Sequence, residues 1–223
     1  MSQLAIKRLT IKDIEGQIGS LSKPSKMPCH GYSLPATECK RGSILRKLKN
    51  SVCSGCYALK NRYMFNNVQT ALHKRLDALL SDTFTWQHLL TELIDRKEKS
   101  GYFRWHDSGD IQSPEHLSAI NNIAFALPHI KFWIPTREFT IVKEWVKTND
   151  IAPNLIIRIS ANLIGQTLRR PSIGSTNLTT SSVGATQTIS GNQNCPAPQQ
   201  DNQCKDCRSC WDNQVSNINY TLH

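Results

Sequence analysis

Eight cysteines are the residues of this 223-residue sequence whose type and spacing point most directly to chemistry. Cys195, Cys204, Cys207 and Cys210 read C-P-x7-C-x2-C-x2-C. Three thiolates at two-residue spacing wrap the main chain tightly around a cubane, and bacterial ferredoxins combine such a triplet with a further cysteine followed by proline. Here the Cys-Pro pair precedes the triplet. Four thiolates in a tetrahedron would also satisfy zinc, but structural zinc sites usually draw on two separated pairs. An iron–sulfur cluster is therefore the expectation, with zinc as the alternative metal.

The N-terminal set is Cys29, Cys39, Cys53 and Cys56, of which only Cys53-Ser-Gly-Cys56 has a tight metal-ligand spacing. Gly55 permits the turn that aims both sulfurs inward, and the surrounding lysines and arginines offset thiolate charge. Cys29 reads equally well as a ligand or as a small buried apolar residue. One or two 4Fe-4S clusters are expected, and which cysteines share one stays open.

The compartment bears on this reading. The first sixteen residues alternate apolar and charged positions, and no uncharged apolar run approaches the roughly 18 residues that a bilayer span needs. A cytoplasmic protein with no membrane partner is expected. In a reducing compartment, closely spaced cysteines serve metal or redox sites more often than disulfides.

The elements that position these residues follow from periodicity. Tyr63 to Leu80 and Phe84 to Lys97 carry apolar residues at helical spacing. Ser113-Pro114 is a helix start, with serine as N-cap and proline at the first helical position. Strands are expected at YFRWHDSGD, KFWIPT and NLIIRIS, with a short helix at FTIVKEWVK and a last strand over Val215, Ile218, Tyr220 and Leu222. Strands alternating with helices imply βαβ units and a parallel sheet. One domain is expected: a basic segment over 1–50, a βα core over 51–164, a flexible Ser/Thr-rich loop over 165–194 and a cysteine-rich closing segment over 195–223.

The net charge of +10 is concentrated near the start: residues 1–100 hold 17 Lys or Arg against 8 Asp or Glu, and the remainder 10 against 9. The densest run contains Lys40, Arg41, Arg46, Lys47 and Lys49 and no acid. Such a run attracts phosphates and gives salt-sensitive binding, so nucleic acid is one expected partner. The alternative is a solvated loop.

Taken in order, CSGCYAL, WHDSGD, FWIPTRE and IIRIS give the chain from about Cys29 onward a similarity to the phage "gene product 88" family, and more distantly to the radical S-adenosylmethionine (radical SAM) superfamily. The distant resemblance implies a truncated or partial (β/α) barrel. It also implies a cluster on Cys39, Cys53 and Cys56 with one iron left for S-adenosylmethionine. Cys53, Cys56 and the aromatic Tyr57 match the end of that superfamily's cysteine motif. Ser108, Gly109 and Asp110 occupy the place of its Gly-Gly-Glu motif, which holds the methionine amine. The spacing departs, being C-x13-C-x2-C, and fewer βα units are visible than a six-stranded partial barrel uses. If phage-encoded, the protein would work in the host cytoplasm. Its reaction is not specified, and a non-enzymatic cluster or zinc protein that binds nucleic acid or a host protein is the rival reading.

Several other residues have the right chemistry at strand ends. His106, Asp107 and Asp110 fall at the carboxyl end of a parallel strand, where such folds bind ligands. Arg137 and Glu138 end the next strand. Arg158, between two isoleucines, is expected to point toward a carboxylate or ligand, because burying it unpaired is costly. Trp105, Trp133 and Trp145 read as core.

Overall fold

The structure, a computed structural model, describes residue 6 and residues 8–173, 176–185 and 192–222. Its centre is a sheet of seven parallel strands. Those strands are β1 (His30–Tyr32), β2 (Tyr102–Trp105), β3 (Lys131–Thr136), β4 (Leu155–Ser160), β7 (Thr179–Val183), β8 (Asn192–Asn194) and β9 (Asn217–Tyr220). They run in the order β1-β2-β3-β4-β7-β9-β8, and the sheet is open rather than closed into a barrel. A separate antiparallel pair joins β5 (Ser172–Ile173) to β6 (Thr176–Asn177).

The helices are α1 (Ile11–Ile18), α2 (Lys40–Leu45), α3 (Asn66–Ser81), α4 (Thr83–Lys97), α5 (Pro114–Ala126) and α6 (Phe139–Trp145). Their starts are written in the sequence. Asp82 caps α4 by accepting from the Thr85 N–H at 3.0 Å, and Ser113 caps α5 by accepting from the His116 N–H at 3.1 Å. Each such cap contributes about 1 kcal/mol.

Alternation along the strands sorts residues to two faces. Phe103, Trp105, Phe132, Ile134, Leu155, Ile157 and Ile159 enter the main core with Trp86, Leu89, Leu90 and Leu93 of α4 and Leu117, Ile120 and Ile123 of α5. Full burial of each such side chain is worth roughly 1.5–3 kcal/mol. The alternate positions include Tyr102, Arg104, Trp133 and Arg158. On that side Trp133 packs with Trp211 and Cys29, and the Trp211 indole N–H donates to the Phe103 carbonyl at 2.9 Å. Helices thus cover one face, and the C-terminal cysteine segment covers the other. The three tryptophans read as core are buried.

Two expectations are corrected. The sheet has more strands than the sequence disclosed. Segment 165–194 also contains β7, a fully internal strand between β4 and β9, rather than being loop throughout. Thr179-Thr-Ser-Ser has no apolar alternation, and its burial is compensated by hydrogen bonds. Thr179 Oγ1 donates to the Ile157 carbonyl at 2.8 Å, Thr180 Oγ1 to Asn217 Oδ1 at 2.8 Å, and Ser181 Oγ to Ser160 Oγ at 3.1 Å. Residues 174–175 and 186–191 of that segment, with 1–5, 7 and 223, lie outside the described residues. No described helix is long and apolar enough to cross a membrane.

Candidate metal centre

The carboxyl ends of β1, β2 and β3 are knitted together by short polar loops. The Leu34 N–H donates to the Ser108 carbonyl at 2.9 Å, and Ser108 Oγ returns a bond to the Leu34 carbonyl at 2.8 Å. Gly109 has φ +81°, and a methyl there would stand 2.6 Å from Leu34 Cβ, so no other residue fits without displacement. The buried Asp110 carboxylate accepts from the Ile111 N–H (2.8 Å), Thr136 Oγ1 (2.6 Å) and the Arg137 N–H (2.9 Å). Burial pushes its pKa up while those bonds oppose the shift. Ser108, Gly109 and Asp110 therefore brace this edge of the sheet.

The chain from Pro35 to Phe65 folds over that edge as α2 and a series of short 3-10 turns. It is anchored by the Arg41 N–H to Glu138 Oε1 (2.6 Å), Lys40 Nζ to the Gln112 carbonyl (2.5 Å) and the Val52 N–H to the Asn162 carbonyl (2.9 Å). Cys39, Cys53 and Cys56 all lie on this stretch. A methyl built on Gly42 would lie 2.8 Å from Cys39 Cβ, 3.6 Å from Cys39 Sγ and 3.8 Å from Cys53 Sγ, so those two sulfurs face one small space. Burial, then Asp110, Cys56 and Cys53, raises the Cys39 pKa. Burial also raises that of Cys53, against the pull of Arg137 and Arg46. Tyr57, 55 % exposed, turns its hydroxyl to the Asp107 carbonyl, and Tyr63 donates to the Asp107 carboxylate.

The second thiol group lies on the opposite face of the sheet from the helices. Cys195, Cys204, Cys207 and Cys210 share an electrostatic neighbourhood, and Cys29 joins them through Cys204 rather than joining Cys39, Cys53 and Cys56. The sequence order had grouped Cys29 with the N-terminal set. Its place just before β1 puts it instead under Trp133 and Trp211. Burial raises the Cys29 and Cys210 thiols to about 12 each. Cys204 Sγ lies 3.7 Å from Met27 Sδ, and Cys210 Sγ lies 3.3 Å from the Tyr220 hydroxyl.

All eight cysteines are free thiols. As the side chains stand, no group of three or more His, Cys, Asp or Glu among the described residues is close enough together to hold a metal ion. The donor set suits a soft or thiophilic metal, and the Cys39 and Cys53 sulfurs both lie within 4 Å of where a Gly42 methyl would stand.

Arg104, which spacing alone did not single out, lies near Cys29, Cys204 and Cys210 and near Tyr57. It pairs with Asp107 at 2.9 Å and sits 4.9 Å from the Trp133 ring centroid. Burial by itself would lower its pKa, but Asp107, Tyr57, Tyr220 and Cys210 hold it above the ordinary value.

Arg158 forms no salt bridge among the described residues, and main-chain carbonyls take the place expected for a carboxylate. Nε donates to the Cys210 carbonyl, Nη1 to those of Thr180 and Val215, and Nη2 to those of Ser209 and Asp212, at 2.8–3.3 Å. Of its five N–H donor contacts, four reach the C-terminal main chain between Ser209 and Val215 and one reaches β7. Arg137 forms no salt bridge among the described residues; its Nε donates to the Ala161 carbonyl at 3.3 Å. His106 turns away from the edge into the core, where both ring nitrogens lack partners among the described residues.

Fold and site together define an α/β protein with an open, seven-stranded parallel sheet, one thiol group at the carboxyl edge of that sheet and another on the face opposite the helices. The chain matches the Gene product 88 family over residues 5–213 and belongs to it. No curated protein and no solved structure matches the chain.

Proposed function

We propose that this protein binds iron–sulfur on its thiols, with Cys39, Cys53 and Cys56 as one ligand set and Cys195, Cys204, Cys207 and Cys210 as the other. The observation that carries the reading is the shared space of Cys39 and Cys53 at Gly42, on the edge where parallel sheets place ligands. Arg137 and Arg46 beside Cys53 supply positive charge for a thiolate-bound group.

Three thiols at the edge site leave a 4Fe-4S cluster with one open iron, as in radical SAM proteins, and the partial-barrel reading belongs with that resemblance. When bound and reduced, such a cluster supplies an electron to S-adenosylmethionine. In this chain Asp110 holds the loop after β2 in place, Ser108 and Gly109 pack that loop on Leu34, and the exposed ring of Tyr57 offers an aromatic face next to Cys56. Anaerobic reconstitution followed by incubation with dithionite and S-adenosylmethionine tests catalysis. Release of 5′-deoxyadenosine supports it; a reduced, iron-loaded protein that releases none and binds no cofactor rules it out.

The second reading is a non-enzymatic cluster or zinc protein whose basic surface contacts nucleic acid or a host protein. It is favoured by the exposure of Lys40, Arg41, Lys47 and Lys49, with Arg46 half-buried and donating to the Ala36 carbonyl at 3.2 Å. Stoichiometric zinc in a colourless sample would select it.

A further inference from the structure

We propose that the surface from Lys40 to Phe65 binds single-stranded nucleic acid. The inference rests on reading the basic run as a nucleic-acid contact, and it narrows that reading to one class of ligand. Between Cys39 and Leu76 the chain holds nine Lys or Arg and no Asp or Glu. Lys47, Lys49, Lys60 and Arg62 are exposed and form no salt bridge among the described residues.

The structure adds the component that the basic run lacks. α2 packs on the turn Val52–Gly55; the turn Tyr57–Leu59 packs on Asn61–Met64, which in turn meets α3. This continuous cap presents Tyr57 and Phe65, 55 % and 58 % exposed, on the same stretch as the cations. The two rings stand eight residues apart in sequence, and the Tyr57 ring is steadied edge-on by Tyr63 at 5.7 Å between centroids.

Cations that track a backbone, combined with exposed rings on which bases stack, are the recognition chemistry of unpaired strands. Bases stacked within a duplex do not offer their faces to such rings. A duplex is instead read by a helix or ribbon that enters its major groove. The longest helix between Lys40 and Phe65 is α2, with 6 residues.

Fluorescence anisotropy of the full-length protein with labelled oligo-dT, at two salt concentrations, tests the proposal. Oligo-dT is expected to bind at least roughly 10-fold more tightly than a duplex of equal length. Phe65→Ala should weaken it by roughly 10-fold, the scale of one base–aromatic stack. Phe125→Ala, which removes an exposed ring from α5, should change nothing. Replacing Lys47 and Lys49 with Gln should reduce the log–log salt slope by about 1.4 if each meets one phosphate. Equal binding of duplex and single strand, unchanged by Phe65→Ala, would overturn the single-strand inference and leave the basic surface as a general nucleic-acid contact. Polyglutamate competing as well as unlabelled oligo-dT would overturn it in favour of an acidic protein. No binding at low salt would overturn both readings.

Discussion

The guanidinium of Arg158 is bonded to the carbonyl of Cys210, Nε donating at 3.1 Å, and its remaining N–H groups hold Thr180, Ser209, Asp212 and Val215. One side chain of β4 thus shapes the turn that carries Cys210. Arg158→Met keeps the bulk but strands several buried carbonyls. The expected cost is roughly 3 kcal/mol or more in urea denaturation, since each unsatisfied buried acceptor costs about 1–3 kcal/mol. A loss under about 1 kcal/mol would show that water replaces the guanidinium.

A second prediction concerns acid. His106 and His116 are buried with ring centroids 5.3 Å apart. Burial, helped by Arg104, pushes the His106 pKa down to about 3, and burial with His106 pushes His116 well below its usual value. The unfolded chain takes up protons near pH 6.5 while the native state refuses them. The stability these histidines contribute is therefore complete above about 6.5 and is lost as pH falls below it, by about 1.4 kcal/mol per pH unit for each. Asp110 and Glu138, pushed up by burial, work in the opposite direction as pH falls through their native values. Comparison with His116→Gln separates the two effects: between pH 6.5 and 5 the variant should lose stability less steeply than the parent, and parallel curves would contradict the assignment.

Two glycines should fail in different ways. Gly109→Ala places a methyl against Leu34 at a positive φ and should destabilise the whole fold by about 1–3 kcal/mol. Gly42→Ala pushes on Cys39 and Cys53 instead. It should lower metal content at the edge site while leaving metal at the C-terminal cysteines. If Gly42→Ala takes up as much metal as the parent, the Gly42 space is not where those sulfurs meet a ligand.

Cys29 gives a third contrast. It packs with Trp133 and Trp211 and neighbours Cys204. Cys29→Ala should leave the site of Cys39, Cys53 and Cys56 fully loaded, as measured by iron content in a background where the C-terminal cysteines are serine. Loss of iron there would return Cys29 to the N-terminal set.

Much of the fold could be anticipated where local pattern and tertiary role agree. KFWIPT became β3 with those bounds, LIIRIS became β4, and Ser113-Pro114 opened α5. β7 was not legible because Thr and Ser carry no hydrophobic period; hydrogen bonds to β4 and β9 hold it in the sheet. β1, at three residues, is too short to show an alternation. For the candidate site, spacing marked the Cys53–Cys56 pair and the C-terminal triplet as candidates. The regrouping of Cys29 depends on which face of the sheet its loop crosses, and Gly42 and Arg104 matter only through contacts distant in sequence. Arg158 was recognised as a buried charge needing partners, but carbonyls do that work as well as a carboxylate, and sequence does not distinguish them.

The central claim is that the thiols bind iron–sulfur in two groups. Iron and acid-labile sulfide, measured after anaerobic reconstitution of the parent, of Cys53→Ser/Cys56→Ser and of Cys204→Ser/Cys207→Ser, test it most directly. The account predicts a brown parent with iron and sulfide in equal amounts, about half of both lost in each double variant, and a folded protein throughout. Folded parent protein that stays colourless and takes up neither iron nor sulfide would contradict it.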